Sequence, residues 1–248
     1  MHDSNAIPRT PDPDAEPGWK LRLEARLGLL DPISLLVFRS FGTPDALPIR
    51  GRVSEKKGVS GTLEQSSLWQ NVLNTLNRLD SDEIPGAHVR AHLDGKQWDT
   101  HTDGEGYFVL DLDPTQPLDP GWHEVELELV ETLGEPAQRR VGVEVLVPPA
   151  DAEFAVISDL DDTVIESHAN ELFRQITILF GESARTRTPF PGIPTLYRAL
   201  RRGPDDRGIN PLFSVSKSGW NLYDLFQEFM DANRIPRGPL FLSDLLVS

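Results

Sequence analysis

The chain has 248 residues, 38% of them apolar, with a formal net charge of −15 and no cysteine. The lack of cysteine excludes disulfides, zinc–thiolate sites and thiol catalysis, and the acidic balance disfavours non-specific binding of nucleic acid. No unbroken apolar run approaches the roughly 18 residues that a membrane-spanning helix requires.

Residues 1–18 are rich in proline and polar side chains and contain almost no bulky apolar residue. Such a segment cannot bury enough surface to offset the entropy lost on ordering, so we predict a disordered tail. It also lacks the basic start and apolar stretch of a secretory signal, which favours a cytoplasmic location.

Residues 19–150 show the period-two alternation of strands that are buried on one face. Val125, Leu127 and Leu129 alternate with glutamates, and Asp94-Gly95 is a turn signal. The same alternation recurs at Val89, Ala91 and Leu93 and at Val141, Val143, Val145 and Val147. Helical spacing interrupts it at Leu68, Val72, Leu76 and Leu79. We therefore predict an antiparallel β-sandwich-like domain with one helical insertion.

Residues 151–248 have a different pattern. Short apolar runs at 154–158, 212–215 and 240–242 are typical of strands covered on both faces. Helical stretches are expected at roughly 169–180, 192–202 and 221–233. This order predicts a parallel, Rossmann-like α/β domain after the β-sandwich.

An acidic motif, DLDD, follows the first of these strands. It places Asp159 and Asp161 at the carboxyl end of a parallel strand, where α/β domains bind ligands. One carboxylate can attack phosphorus while the other exchanges a proton with the leaving oxygen and then with water. Because two carboxylates and a phosphate dianion repel each other, we predict a Mg²⁺ ion bound by Asp159 and Asp161.

Residues 107–115 contain a second acidic motif, DLDPT, after an apolar run. Here Phe108, Leu110 and Leu112 alternate with other residues, which predicts an antiparallel strand, and prolines follow instead of a helix. We therefore do not assign catalysis to this motif.

Ser216 ends the second predicted parallel strand and would lie beside the acidic loop. A hydroxyl there can hold a phosphoryl oxygen together with backbone N–H groups of the following helix. The simpler alternative is that Ser216 or Ser218 only caps that helix. We predict that Ser216 and the adjacent Lys217 bind the substrate phosphate.

The two motifs in this order resemble the haloacid dehalogenase (HAD) superfamily, and more specifically the actin-patch-type phosphatidate phosphatases and their bacterial relatives. The resemblance is carried by DLDDTV, TPFPGIPTLYRAL, NPLFSVSKSGWNLYDLFQEFM and IPRGPLFL, and in the β domain by SLWQNVLN, SDEIPGAHVRA and TDGEGYFVLDL. It implies a HAD-type catalytic domain that removes phosphate from phosphatidate to give diacylglycerol, with Mg²⁺. By position it implies that Asp159 is the nucleophile and Asp161 the general acid/base, whose backbone C=O also reaches the metal.

The superfamily also has a Lys or Arg and further metal-binding acids downstream of the third strand, and nothing in this chain matches them. Lys217 does not stand where that lysine is expected. We therefore expect a catalytic domain whose C-terminal part is missing, and the first strand would then be an open edge.

Two readings of the function stay open at this point. One is a Mg²⁺-dependent phosphatase acting on a phosphorylated lipid or small molecule. The other is a non-catalytic, degenerate module that binds lipid phosphate. The arginine-rich segment 174–207 would face anionic headgroups in a peripheral membrane contact, or it decorates a solvated helix face. No partner protein is predicted.

Overall fold

The computed structural model describes residues 15–55, 83–160, 192–204, 210–220 and 223–243. Several predicted features lie outside these residues: most of the tail, the helices at 68–79 and 169–180, much of the arginine-rich segment, and Asp161. The strands and helices below are numbered along the described part of the chain.

Two sheets occupy the N-terminal part of the chain. The first has the order β1 (Ile33–Phe38), β3 (Leu47–Glu55), β6 (Tyr107–Leu112) and is antiparallel. The second has the order β2 (Ser40–Phe41), β8 (Arg140–Val147), β7 (Gly121–Glu131), β4 (His88–Leu93), β5 (Lys96–His101). Its pairs are antiparallel except β2 with β8, which is parallel.

The alternating apolar residues form one core between these sheets, as their period of two predicted. Val125, Leu127 and Leu129 are fully buried, and they share a cluster with Phe108 and Leu110 of the first sheet. The turn between β4 and β5 has a positive φ at both Asp94 and Gly95, the geometry of a type I′ hairpin. The predicted turn and core positions are thus confirmed.

The second acidic motif lies on β6, which pairs antiparallel with β3, as expected. Asp113 follows this strand and accepts hydrogen bonds from Lys96 (2.8 Å) and from the indole N–H of Trp98 (2.6 Å). Both hydrogen bonds lower the pKa of Asp113, to about 2, and the one from Lys96 has the larger effect. The carboxylate therefore fastens the end of β6 to β5.

A helix that the sequence pattern did not predict, α1 (Trp19–Arg26), precedes β1. It begins where the predicted tail ends. Leu21 packs against the sandwich core, while Trp19 is 80% exposed.

The C-terminal part forms a parallel sheet in the order β11 (Leu240–Ser243), β10 (Leu212–Gly219), β9 (Val156–Asp159). Helix α2 (Ile193–Arg202) precedes β10, and helix α3 (Tyr223–Ala232) connects β10 to β11. Parallel strands separated by helices are what the predicted α/β class requires. The assignment to a Rossmann-like, HAD-type class stays a prediction.

We predicted that β9 is covered on both faces. This prediction is wrong for Ile157, whose side chain is 71% exposed. Its neighbours Ser158 and Leu160 are buried. Among the described strands β9 pairs only with β10, so it forms an edge of the described sheet.

Candidate active site

Asp159 and Ser216 lie on two adjacent parallel strands, level with the carboxyl end of β9. Asp159 is the last residue of β9 and pairs with Val215 of β10, and the N–H of Leu160 donates to the Val215 carbonyl at 2.9 Å. Ser216 directly follows Val215. Asp159 and Ser216 are therefore offset by one residue between the paired strands. They lie at the carboxyl end of β9, and the carboxyl ends of strands form the usual ligand-binding edge of α/β domains.

Strand β10 was predicted to end at Ser216, but it continues to Gly219. Its register with β11 shifts between Val215 and Gly219. Ser216 is thus the first residue of an irregular stretch, and such irregularities redirect side chains next to functional sites. The sequence pattern missed this because the run SKSG, without an apolar side chain, carries no strand signal.

Buried polar contacts fix the strands beneath this edge. The hydroxyl of Ser158 on β9 is hydrogen-bonded to the hydroxyl of Tyr197 on α2. Asn210, 1% exposed, accepts from the N–H of Glu153 at 3.1 Å and donates to the Leu200 carbonyl at 3.2 Å. One side chain therefore joins the approach to β9, the end of α2 and the start of β10.

Residues of the β-sandwich contact the start of α3, just beyond the Ser216 stretch. The N–H of Arg39 donates to the Tyr223 hydroxyl at 2.7 Å. The guanidinium of Arg39 donates to Gln227 on α3 and to Glu144 on β8, the latter at 2.9 Å. The backbone and side chain of Arg39 thus hold the first turns of α3 against the sandwich.

Aromatic rings extend this contact. Phe38, 3% exposed, lies with its ring centroid 4.2 Å from that of Trp220 and 5.0 Å from that of Tyr223. Phe41 lies 4.9 Å from Phe213 of β10, also measured between centroids. Sequence analysis found none of these partners, because the contacting residues are far apart in the chain. One signal in the sequence could have pointed to a contact surface on this helix: Tyr223 and Gln227 are four residues apart and so share one helix face.

Burial raises the pKa of Tyr223 to about 12. Its hydroxyl keeps its proton in the folded state while an unfolded tyrosine ionises near pH 10. The stabilisation is complete below about pH 10 and is lost as the pH rises towards 12.

We therefore expect the free energy of unfolding to fall by about 2–3 kcal/mol more in wild type than in Tyr223→Phe between pH 10 and 12. Urea unfolding at several pH values measures it. If the free energy of unfolding fell equally in the two proteins between pH 10 and 12, the assignment would be contradicted. Below pH 9 it should change with pH to the same extent in both, which serves as the internal control.

Two predicted site residues are not placed. Asp161 lies outside the described residues. The backbone of Lys217 belongs to β10, but its side chain is not among those described. Within the described residues, no group of three or more potential ligands among histidine, aspartate and glutamate is clustered to hold a metal ion.

The sequence of the C-terminal part, which includes this edge, matches one family model. The family model is described as phosphatidate phosphatase APP1, catalytic domain, and it matches residues 154–248. The matched range contains Asp159, Ser216, Asn210 and Tyr223 and leaves out the β-sandwich. The match supports the phosphatidate phosphatase family for this part of the chain.

One solved structure that the chain resembles is a crystal structure of a CARDB domain from Pyrococcus furiosus in complex with di-metal ions. It shares 14% identity over 47% of this chain and 90% of that chain, with a TM-score of 0.24. At that level of similarity it assigns neither a fold nor a metal site. The search of curated proteins found no match.

None of the helices in the described part of the chain combines the length and the apolar character needed to cross a membrane.

Proposed function

We propose that this protein is a Mg²⁺-dependent phosphatase that hydrolyses phosphatidate to diacylglycerol and phosphate through an aspartyl-phosphate on Asp159. The observation that carries the proposal is the register of β9 and β10, in which Asp159 pairs with Val215 and Ser216 follows. The family match over residues 154–248 supports the class of substrate.

The proposed reaction has two steps. In the first, a carboxylate oxygen of Asp159 attacks phosphorus, the bond from phosphorus to the lipid oxygen breaks, and Asp161 gives that oxygen a proton. In the second, Asp161 takes a proton from water, which attacks phosphorus, and the bond from phosphorus to Asp159 breaks. Inorganic phosphate leaves and both aspartates return to their starting states.

Ser216 has a positioning role in this scheme. Its hydroxyl donates to a phosphoryl oxygen and so orients the phosphorus atom towards Asp159. Lys217 would add positive charge beside the same phosphate.

The residues at this edge fit a Mg²⁺ ion in their chemistry. The carboxylate of Asp159 ends β9 at the carboxyl edge of the sheet, and carboxylate oxygens are the ligands that Mg²⁺ prefers. Asp159 and Asp161 would hold the ion. When bound, it neutralises the charge of the phosphate and of the carboxylates.

Release of inorganic phosphate tests the proposal. We expect wild type to hydrolyse phosphatidate in detergent micelles with Mg²⁺ and to lose this activity in excess chelator. Hydrolysis of a water-soluble phosphomonoester but not of phosphatidate would contradict the lipid substrate. Binding of phosphatidate micelles without release of phosphate would instead support a non-catalytic module.

Ser216→Ala is expected to lower kcat/KM about 10- to 100-fold, since it removes one hydrogen bond to a charged oxygen. Ser34→Ala, which removes a strand hydroxyl on β1, is the matched control and should leave kcat/KM unchanged. Equal rates for the two variants would remove Ser216 from the phosphate site.

A further inference from the structure

Helix α1 is fastened to the β-sandwich by one side only. Leu21 packs against the sandwich core, and Ala25 lines a groove with Pro85, Gly86 and Ala87. This contact fixes the direction in which the other side of the helix points.

The outward side of α1 carries large apolar residues at every fourth position. Trp19 is 80% exposed, Leu23 48% and Leu27, at the end of the helix, 62%. Residues four apart lie on one face of a helix, so these side chains form a continuous apolar stripe in contact with water. Leu29, just after the helix, is also exposed, at 67%.

Cations flank the stripe. Lys20, Arg22 and Arg26 are all exposed; Lys20 pairs with Glu24 at 3.6 Å and Arg22 with Glu16 at 2.5 Å. Such exposed pairs are weak, so these cations can exchange their partners for headgroups. Residues 16–27 carry three cations against two acids, a net charge of +1 in a chain whose net charge is −15. Charge elsewhere on the protein is screened over about 8 Å at physiological salt, so the local sign governs what approaches the helix.

We propose that α1 is an interfacial helix that binds anionic lipid bilayers and inserts Trp19, Leu23 and Leu27 among the headgroups. A tryptophan-containing apolar stripe with basic flanks is the pattern of helices that lie in the membrane interface. The convex outer side of a helix also suits a flat bilayer, and the basic residues complement anionic headgroups. This inference does not depend on the proposed phosphatase activity, because α1 lies outside residues 154–248.

Flotation with vesicles tests the inference. We expect the full chain to float with vesicles of phosphatidylcholine containing about one-third phosphatidylglycerol, less with pure phosphatidylcholine, and less again at high salt. The double variant Trp19→Ser with Leu23→Ser should bind at least about tenfold more weakly. Neither lipid is a phosphomonoester, so the active site does not contribute to binding.

Leu196→Ser is the matched control, because Leu196 on α2 is 49% exposed and Leu23 is 48% exposed. It should bind vesicles like wild type. Failure of wild type to bind anionic vesicles, or an equal loss of binding in the control, would overturn the inference. Recognition of an acidic protein instead of lipid would appear as absence of flotation, and it would count against the proposal.

Insertion itself has a separate readout. Vesicles with brominated acyl chains should quench the fluorescence of wild type, and Trp19→Phe should bind equally well but lose most of this quenching. Unchanged quenching in Trp19→Phe would show that another segment inserts. Phosphate release from a water-soluble phosphomonoester, measured on the same variants, distinguishes failure of this inference from failure of the proposed function.

Discussion

Asp159→Asn is expected to reduce phosphate release by at least about a thousandfold, because the amide cannot act as the nucleophile that forms the acyl phosphate. The substitution keeps the shape of the side chain at the end of β9, where its strand pairing to Val215 involves only the backbone. The fold should persist. The measurement is release of inorganic phosphate from phosphatidate with Mg²⁺, alongside urea unfolding.

The second acidic motif supplies a matched control within the same chain. Asp111 lies on β6 in the DLDPT segment, with an exposed side chain. Asp111→Asn removes the same charge from the same kind of motif and should leave the rate within about twofold of wild type. A rate for Asp159→Asn above about a tenth of wild type would exclude the covalent route through Asp159.

Gly238→Ala is expected to destabilise the parallel sheet by about 3 kcal/mol. A Cβ atom at Gly238 would lie 1.9 Å from the carbonyl oxygen of Leu212, which belongs to the neighbouring strand β10. The obstacle is backbone, so β10 or the entry to β11 has to move. Urea unfolding followed by tryptophan fluorescence measures the loss.

Gly104→Ala is the control for Gly238→Ala. Nothing lies within 4 Å of a Cβ built at Gly104, and the free energy of unfolding should change by less than about 1 kcal/mol. Equal stability of the two variants would show that the close approach at Gly238 is relaxed at little cost.

The β-sandwich positions could be predicted because alternation along a strand is a local property. Val125, Leu127 and Leu129 are buried as the period of two required. The hairpin at Asp94-Gly95 followed from turn chemistry that two residues decide on their own. The site strands were found in the same way, from apolar runs followed by polar residues, although the fold class and the catalytic roles remain predictions.

Other features escaped because local patterns do not contain them. Helix α1 has its own signal in the spacing of Trp19, Leu23 and Leu27, but the adjoining proline-rich segment and the short length of the helix hid it. The exposure of Ile157 depends on what packs over β9, which an apolar run does not reveal. The contact from Arg39 to Tyr223 joins residues 184 positions apart, beyond the reach of any periodicity.

The aromatic contacts between the sandwich and the parallel sheet bear on how this protein is to be divided for biochemical work. Phe38 and Phe41, which cover Trp220, Tyr223 and Phe213, precede residue 154, where the family match begins. A polypeptide that began at that boundary would lose Phe38 and Phe41. The rings of Trp220, Tyr223 and Phe213 would then face solvent, and the polypeptide would be prone to self-association. A shortened version should therefore keep the β-sandwich, because the folding unit is larger than the region that sequence similarity delimits.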